Sequence, residues 1–360
     1  MINLKKKFYN KKIIITGHTG FKGSWLTFWL NSLGAKVMGI SNNKKSKPSI
    51  FDVLQIKKKI KHKTLDIKEI NKLKKLIKDY KPDYIFHLAA QALVKKSYKD
   101  PLNTFHTNSI GTLNLLDSLK DLKKNCSVIL ITSDKSYKNL EIKRGYNEND
   151  ILGGDDPYSA SKACAELIIQ SYFKSFFKLN KNIYLGVARA GNVVGGGDWS
   201  EDRLVPDCVR SWSKNKKVLL RNPSSTRPWQ HVFEAVGGYL IFAAKLKNNR
   251  KLNNQAINFG PNSNYSNSVL KLVKEMKKNW TKVSWKIDKK NVSRDHESNL
   301  LKLNCSKAKK ILKWSTILSF KETSKLTSLW YKRYYSNKKK IISFSKIQLD
   351  LFQQLMRERL

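Results

Sequence analysis

The chain has 360 residues, 40% of them hydrophobic, so it can form one large domain or two coupled ones around a sizeable core. Its 71 Lys and Arg residues outnumber 27 Asp and Glu residues, which gives a formal net charge of +44 at pH 7. The lysines are spread along the chain, which disfavours nucleic acid as the main partner. No apolar run approaches the roughly 20 residues of a membrane span.

The N-terminal residues and the cysteines bear on the compartment. Residues 1–12 are basic and contain no apolar signal core, so they do not indicate export. Cys126, Cys164, Cys208 and Cys305 are scattered and form no metal-ligand pattern, and reduced thiols are their simplest interpretation. We therefore expect a cytoplasmic protein without a metal site.

The stretch from Lys12 to Ala35 predicts a dinucleotide site. The β-branched run Ile13 to Ile15 is typical of a buried parallel strand, and an apolar helical pattern follows residue 24. Gly17, Gly20 and Gly23 lie between them, where they permit a tight turn, close backbone approach to a pyrophosphate and close helix packing. A glycine-rich turn without a ligand is the alternative. The GxxGxxG spacing resembles the extended short-chain dehydrogenase/reductase families.

Strands and helices alternate through the first half of the chain. Helices are predicted after the first and third strands, after Pro101 and from Pro157 to about Phe177. This alternation predicts an α/β fold with a doubly wound parallel Rossmann sheet. The later predicted sheet strands are 35–40, 62–65, 83–88, 127–131 and 183–188.

After about residue 190 the predicted segments become shorter and more mixed, and glycines and tryptophans cluster. We expect a cofactor-binding domain at 1–190, a smaller, mainly substrate-binding region at 191–335 that is interleaved with the last sheet strand, and a helical tail at 336–360. The tail has an amphipathic pattern, and a packed terminal helix is favoured over a partner-binding tail. Its apolar residues are Ile347, Leu349, Leu351, Phe352 and Leu355.

The residues after the second strand leave the cofactor's 2′ group undecided. An ordinary NAD site has an acidic residue here that binds the ribose hydroxyls. This chain instead has Ser41, Asn42, Asn43, Lys44 and Lys45. The lysines are compatible with a 2′-phosphate, so the residues alone leave NAD and NADP open.

Tyr158 and Lys162 form a candidate proton-transfer pair. They are four residues apart on a predicted helix and therefore share one face. A tyrosine with its usual pKa of about 10 is a poor base at pH 7. A nearby ammonium and a positively charged nicotinamide ring favour the phenolate and lower this pKa. The alternative is an ordinary helix tyrosine beside a surface lysine.

A second candidate group ends the fifth strand, at Thr132, Ser133, Asp134 and Lys135. A hydroxyl at this edge can hydrogen-bond a substrate alcohol beside the tyrosine. Elimination of water needs one group to take a carbon-bound proton and another to protonate the departing hydroxyl. Asp134 and Lys135 meet that requirement, although a charged turn without function is equally compatible with the spacing.

These motifs resemble the CDP-glucose 4,6-dehydratase family, over roughly residues 10 to 335 and in the family's order. GHTGFKGSWL and GNVVGGGDW distinguish this family from related dTDP-glucose and GDP-mannose dehydratases and from UDP-glucose epimerases. The dTDP-glucose enzymes carry Asp-Glu where this chain has Asp134-Lys135. The other matching segments are FHLAAQALVKKSY, TSDKSY, LGGDDPYSASKACAEL, RPWQHV, NFGP and LKLNCSKA.

The resemblance implies a redox-neutral reaction with NAD as cofactor. Tyr158, assisted by Lys162 and a hydroxyl of Thr132 or Ser133, removes the proton of the sugar's 4-hydroxyl while hydride passes from C4 to NAD⁺. Water then leaves across C5 and C6, with Asp134 as the acid and a neutral Lys135 as the C5 base. Hydride return to C6 gives CDP-4-dehydro-6-deoxyglucose.

The resemblance also implies binding residues for the cofactor and the nucleotide sugar. Arg203 and Arg227 are diphosphate candidates, because guanidinium groups match phosphate geometry. For His231 a structural role is equally compatible. The implied cofactor residues are Gly17, Thr19, Gly20, Phe21, Lys22, Gly23, Asp66, Ile67, Leu88, Ala89, Ala90, Gln91, Thr107, Tyr158 and Lys162, and the implied substrate residues are Asn192, Arg203, Arg227 and His231.

Family members form dimers through a four-helix bundle, so the resemblance implies a homodimer or a higher homo-oligomer. The helix of Asn108 and the helix of Tyr158 would form that interface. Two other functions stay open: a dehydratase or epimerase for a dTDP-, GDP- or UDP-linked sugar, and a non-catalytic NAD-binding regulator. Tyr158, Lys162 and Asp134 together disfavour the regulator.

Overall fold

The structure is a computed structural model in which residues 2–42, 46–142, 144–220, 222–261, 266–287 and 301–360 are described. The strands are, in chain order, β1 (Lys12–Thr16), β2 (Lys36–Ser41), β3 (Lys61–Thr64), β4 (Tyr84–His87), β5 (Cys126–Ile131), β6 (Ile183–Ala190), β7 (Val193–Val194), β8 (Val218–Leu220), β9 (Thr226–Arg227), β10 (Gln230–His231), β11 (Gln255–Phe259), β12 (Asn267–Ser268) and β13 (Trp285–Ile287). The helices are α1 (Leu4–Phe8), α2 (Phe21–Ser32), α3 (Ile50–Val53), α4 (Ile70–Tyr80), α5 (Val94–Lys99), α6 (Pro101–Phe105), α7 (Gly111–Asp117), α8 (Pro157–Tyr172), α9 (Leu204–Ser213), α10 (Val232–Leu246), α11 (Val269–Lys277), α12 (Phe320–Ser336) and α13 (Ile341–Arg359).

A parallel sheet forms the centre of the molecule. Within the described ranges it has seven strands in the order β3-β2-β1-β4-β5-β6-β11. The strand order reverses between β1 and β4, which is where a doubly wound sheet opens a ligand crevice at its carboxyl edge. The predicted doubly wound parallel sheet is confirmed.

Helices cover both faces of this sheet. Ile13 and Ile15 of β1 belong to the apolar core under α2 and α10, whereas Ile14 belongs to the core under α4, α7 and α8. This alternation follows from the two-residue period of a strand. Because both faces are buried, the strands are nearly continuous apolar runs, as the sequence pattern predicts.

The second half of the chain contributes both to the sheet and to the core. Strand β11 pairs with β6 and forms one edge of the sheet, from a segment that follows α10. Trp25 of α2 packs edge-on against Phe233 of α10, with ring centroids 4.9 Å apart, and against Trp330 of α12. One apolar core therefore joins the two halves, while the boundaries at residues 190 and 335 stay a prediction.

The C-terminal helix α13 packs onto α2. The Trp29 indole N–H donates to Gln353 Oε1 at 3.1 Å, and the Trp29 and Phe352 rings meet edge-on. Leu349 and Phe352 are buried, but Ile347 and Leu351 are 62% and 44% exposed, so the apolar face is narrower than the sequence pattern predicts.

The helical stretch after Pro101 is interrupted. Residues His106–Ile110 form a π-helical turn between α6 and α7, which lie in one continuous helical segment. Such turns often mark functional sites, because the extra residue changes where side chains point. Across the described ranges, no helix combines the length and the apolar character needed to span a membrane.

Candidate active site

The turn between β1 and α2 consists of closely packed backbone. Gly17 has a φ of +73°, and a Cβ at this position would lie 2.6 Å from the backbone nitrogen of Ala89. A Cβ on Gly23 would lie 2.2 Å from the Gly17 carbonyl oxygen. The Gly20 N–H donates to that same oxygen at 3.1 Å. These contacts require glycine at both positions and hold the turn tightly against the end of β4.

Helix α2 begins at the carboxyl edge of the sheet with open N–H groups. Gly20 is its N-cap and provides no side-chain cap, so the first N–H groups at Phe21 and Lys22 can bind an anion. Thr19 lies beside them, with its hydroxyl 2.7 Å from the Ser41 hydroxyl. This arrangement fits the pyrophosphate of a dinucleotide.

A buried polar network supports the residues after β4. The Ala89 N–H donates to the Thr16 hydroxyl, which lies 2.8 Å from His87 Nδ1, and His87 Nε2 lies 3.3 Å from the Thr112 hydroxyl. Burial lowers the pKa of His87 to about 3, so the ring is neutral. The network fixes the path of Leu88, Ala89 and Ala90 along the crevice.

The π-helical turn connects this path to the helix of the candidate catalytic pair. Asn108 Oδ1 accepts the Gln91 N–H at 2.8 Å, and its amide donates to the Gln91 carbonyl oxygen and to the Ser161 hydroxyl. Thr107 is half-buried next to Asn108. Gln91 and Thr107 thus lie between the β4 edge and α8.

Asp66 lies close to the end of β2. The Asn42 amide is 3.5 Å from Asp66 Oδ2, and the Asn114 amide donates to the Ile67 carbonyl oxygen. A carboxylate therefore stands near the place where β2 itself has none. Asn43, Lys44 and Lys45, on which the 2′-phosphate interpretation depends, lie outside the described residues.

Tyr158 and Lys162 are both buried on the first turns of α8, with Lys162 Nζ 3.4 Å from the Ile131 carbonyl oxygen. Burial raises the pKa of Tyr158, while a hydrogen bond with Ser133 and the Arg203 charge oppose this rise. Desolvation of the phenolate thus outweighs the opposing contacts of the chain itself. The lowering predicted from the sequence includes the charge of a bound nicotinamide ring and stays a prediction.

Lysine charges in the site are also strongly desolvated. Burial and the nearby Lys22 cation lower the pKa of Lys162 to about 7, although Glu166 opposes the change. Burial and the Arg203 cation lower the pKa of Lys22 to about 8, against the attraction of Asp134. Lys22 and Arg203 thus lie within electrostatic reach of the candidate catalytic residues.

The turn after β5 presents Ser133 and Asp134 to the site. The Ser133 hydroxyl donates to Asp134 Oδ1 at 2.9 Å, and the Lys135 N–H donates to the same oxygen at 3.0 Å. Burial raises the pKa of Asp134, although Lys135, these hydrogen bonds and Lys22 oppose the rise. Lys135 is only half-buried. The Thr132 hydroxyl points elsewhere and donates to Glu166, so the structure distinguishes the two hydroxyls that the sequence left open.

The predicted substrate residues lie in different parts of the fold. Arg203 is paired with Asp198 at 3.1 Å, and the Asn192 carbonyl oxygen accepts the Gln230 N–H. Arg227 lies on the short strand β9, where its guanidinium donates to the Thr226 carbonyl oxygen. The described contacts do not bring Arg227 to Tyr158.

His231 is the buried N-cap residue of α10. It is 1% exposed, and its Nδ1 accepts the Phe233 N–H at the start of α10. Burial lowers its pKa to about 3, so the ring is neutral. Its Nε2 is buried without a hydrogen-bond partner among the described residues, so both interpretations of His231 stay predictions.

Sequence reasoning missed three residues near the site. A Cβ on Gly191 would lie 2.5 Å from Asp134 Oδ2, so glycine at this position makes room for the carboxylate. Glu166 and Arg189 form a buried ion pair behind the turn after β5. The position of Glu166, four residues after Lys162, was a signal for a shared helix face.

The chain was compared with protein-family models and with known proteins. The family model described as GDP-mannose 4,6 dehydratase matches residues 14–327. A CDP-glucose 4,6-dehydratase of Salmonella typhimurium is 41% identical over 337 residues, which are 92% of this chain and 93% of that protein.

Solved structures share the fold. The epimerase Mth375 of Methanothermobacter thermautotrophicus superposes with a TM-score of 0.77 at 23% identity, covering 94% of this chain and 96% of that one. A UDP-glucuronic acid 4-epimerase mutant of Bacillus cereus, solved with a fluorinated UDP-glucuronic acid and NAD, gives 0.77 at 22% identity, covering 90% and 100%. The family model over residues 14–327 and the 41% identical relative show that the chain belongs to the GDP-mannose 4,6-dehydratase family of nucleotide-sugar enzymes.

Proposed function

We propose that the chain converts CDP-glucose to CDP-4-dehydro-6-deoxyglucose and water, with NAD reduced and reoxidised within each turnover. The observation that carries this proposal is the buried Asp134 carboxyl, with a raised pKa, on the same turn as Lys135 and next to Tyr158. An epimerase needs no such acid. The 41% identical relative, a CDP-glucose 4,6-dehydratase, supports the choice of substrate.

Tyr158 takes the proton of the sugar's 4-hydroxyl on its phenolate oxygen, and its hydrogen bond with Ser133 orients it. NAD, when bound, would supply the hydride acceptor and donor chemistry, and its oxidised form would add a positive charge that favours the phenolate. Lys162, one turn after Tyr158 on α8, would lie close to the cofactor. The N-terminus of α2 would bind the pyrophosphate.

The elimination step then uses the turn after β5. The 4-ketone makes the C5 proton acidic, and Lys135 is the base that removes it. Asp134, which burial keeps protonated above its ordinary pKa, donates its proton to the departing 6-hydroxyl as water leaves. Lys135 returns the proton to C5 when hydride reaches C6. The proton that Tyr158 took from the 4-hydroxyl replaces the one that Asp134 gave to the departing water, so the cofactor and the three side chains end each cycle unchanged.

The test is turnover of CDP-glucose by the purified chain with NAD⁺ or NADP⁺. We expect loss of one water per sugar and a 4-ketone product without net NADH, and we expect the Tyr158→Phe variant to be inactive. Parallel reactions with dTDP-glucose, UDP-glucose and GDP-mannose measure nucleotide preference. Turnover of one of these in place of CDP-glucose would overturn the substrate assignment, and GDP-mannose is the first rival because the family model carries that name.

We further propose that the enzyme works in the cytoplasm as a homodimer. Leu102 at the start of α6, Ile110 in the π-helical turn and Leu167 on α8 are 69%, 42% and 57% exposed. These helices pack side by side, so a second copy can cover their apolar side chains in a four-helix arrangement. Leu167→Glu should convert dimers to monomers in sedimentation experiments, whereas Leu179→Glu, at an 87% exposed position outside these helices, should not.

A further inference from the structure

Glu166 occupies the same face of α8 as Tyr158 and Lys162, because the three residues are spaced by four. Its side chain is 1% exposed and is paired with Arg189 of β6, which is equally buried. The Arg189 Nε lies 2.9 Å and 3.0 Å from the two carboxylate oxygens, and a terminal nitrogen of the guanidinium bonds Oε2. The ion pair thus lies on the same face of α8 as the candidate catalytic residues.

The same carboxylate also holds the turn after β5 at both ends. The Thr132 hydroxyl donates to Glu166 Oε1 at 2.7 Å. The Ser136 hydroxyl lies 3.0 Å from the same oxygen and 2.7 Å from the Ser133 carbonyl oxygen within the turn. Thr132 and Ser136 immediately flank Ser133, Asp134 and Lys135. The turn that carries Asp134 and Lys135 is therefore hydrogen-bonded to α8, the helix that carries Tyr158 and Lys162.

The Arg189 side of the pair is anchored in turn. A guanidinium nitrogen donates to the Tyr137 hydroxyl at 2.7 Å, and that hydroxyl donates to Asn258 Oδ1 of β11 at 2.8 Å. The Asn258 amide donates to the carbonyl oxygens of Tyr146 and Asn304. Glu166 thus stands at the end of a largely buried network that includes Arg189 of β6 and Asn258 of β11.

A purely stabilising ion pair is the simpler interpretation of Glu166 and Arg189. That interpretation does not explain why the hydroxyls of Thr132 and Ser136 also lie against the carboxylate, because Arg189 alone neutralises its charge. A buried ion pair is also weak evidence for a stabilising role. Thr132 and Ser136 flank the reacting residues and both approach Glu166 Oε1. Their contacts therefore restrict the position of the residues between them, 133–135. Buried polar networks that are satisfied in this way make local structure rigid.

We propose that Glu166 is a positioning residue for the elimination step, acting through Thr132 and Ser136 on the location of Asp134 relative to Tyr158. The inference rests on the proposed dehydratase function. Oxidation at C4 needs only Tyr158, Lys162, Ser133 and the cofactor, whereas loss of water also needs Asp134 within reach of the 6-hydroxyl. A displacement of about 1 Å costs a reaction roughly 100-fold, so a loosened turn slows elimination more than oxidation.

The test compares Thr132→Val, which keeps the branched shape without the hydroxyl, with Thr132→Ser, which keeps the hydroxyl. We expect Thr132→Val to lower the kcat of CDP-glucose dehydration by about 10- to 100-fold with little change in KM. In a single turnover it should accumulate NADH and 4-keto sugar that has not lost water. Thr132→Ser should restore dehydration, and Ser136→Ala should reproduce the Val phenotype in milder form.

A structural readout separates this inference from the proposed function. Amide hydrogen exchange over residues 133–137 should rise in Thr132→Val and stay near the wild-type level in Thr132→Ser, whatever the substrate. Wild-type turnover of another nucleotide sugar alone would reject the CDP-glucose proposal and leave the exchange result standing. Unchanged exchange in Thr132→Val, or equal losses of oxidation and elimination, would overturn the positioning role.

Discussion

At the scale of single residues, the proposed chemistry depends most on Asp134. Asp134→Asn preserves shape but has no acidic proton, so we expect dehydration to fall by about 10²- to 10⁴-fold. Oxidation at C4 should persist, and NADH absorbance in a single turnover measures it. Asp121→Asn, at an exposed carboxylate paired with Lys74, serves as the control.

The pH dependence of the wild type tests the same role. Burial raises the pKa of Asp134, so the protonated acid persists to higher pH than for an ordinary carboxyl. Dehydration should decline as pH rises through that raised pKa, because the proton donor is lost. A dehydration rate in Asp134→Asn equal to that of the wild type would exclude Asp134 as the acid.

Gly191 provides a geometric test of the same carboxyl. Its Cβ in Gly191→Ala would lie 2.5 Å from Asp134 Oδ2, so the carboxylate must move. In the matched variant Gly260→Ala, the nearest heavy atom to the new Cβ is 3.6 Å away, an ordinary contact. We expect Gly191→Ala to lose at least about 10-fold in kcat, by displacement of the acid, while Gly260→Ala remains near wild type. Equal rates for the two variants would contradict the close approach.

Local spacing explains which site residues the sequence could predict. Tyr158 and Lys162 are neighbours on one helix, so their approach follows from a pattern of four residues. Gly191 and Arg189 reach Asp134 and Glu166 only through the pairing of β5 with β6, which no local pattern contains. The choice between Thr132 and Ser133 likewise depends on how the chain turns after β5, where a 3₁₀ turn follows.

At the scale of elements, the turn between β1 and α2 combines two glycine requirements that can be separated. Gly23→Ala places a Cβ 2.2 Å from backbone, so we expect a loss of about 1–3 kcal/mol or more in the free energy of unfolding. Gly20→Ala meets only the Gly17 carbonyl oxygen at 3.3 Å, so the fold should survive while the methyl group obstructs the pyrophosphate. Urea unfolding and NAD titration measure the two effects. Similar unfolding energies for both variants would contradict the packing argument.

Element bounds followed the sequence where periodicity was unambiguous. The helix predicted from Pro157 to about Phe177 is formed by α8 and the π-helical turn Phe173–Phe177 that continues it. Strand β6 extends two residues beyond the predicted Ala188, as far as Ala190. The π-helical turn His106–Ile110 was not predictable, because its cause is the fit of Asn108 between Gln91 and Ser161 rather than a local preference.

At the scale of the whole molecule, alternating strands and helices were sufficient to predict the sheet, since right-handed crossovers leave few arrangements. The sequence did not predict how the halves join. Trp25 and Trp29 looked like one face of a helix, yet their partners Phe233, Trp330 and Phe352 come from residues more than 200 positions away. Contacts of this kind depend on the completed fold.

The pH dependence of global stability follows from buried groups outside the site. Burial lowers the pKa of His18 to about 4 and those of His87 and His231 to about 3, so each is neutral in the folded state. The unfolded chain takes up protons at these residues below about pH 6.5. These histidines therefore reduce stability only as pH falls below that value, so the pH dependence between 6.5 and 8 comes from other buried groups.

Glu234 changes stability in that neutral range, in the opposite direction to Lys162 and Lys22, whose pKa values burial lowers to about 7 and about 8. Both of its hydrogen bonds, from the N–H groups of Ile317 and Leu318, end on Oε1, and burial raises its pKa from 4.5 to about 8. The folded state therefore keeps a proton that the unfolded chain has released, and stability falls as pH rises towards 8. Glu234→Gln retains an oxygen for both bonds and cannot ionise. Between pH 6.5 and 8 we expect the variant to gain about 2 kcal/mol relative to the wild type in urea unfolding. A pH-independent difference between the two proteins would show that Glu234 is ionised in the folded state throughout this range.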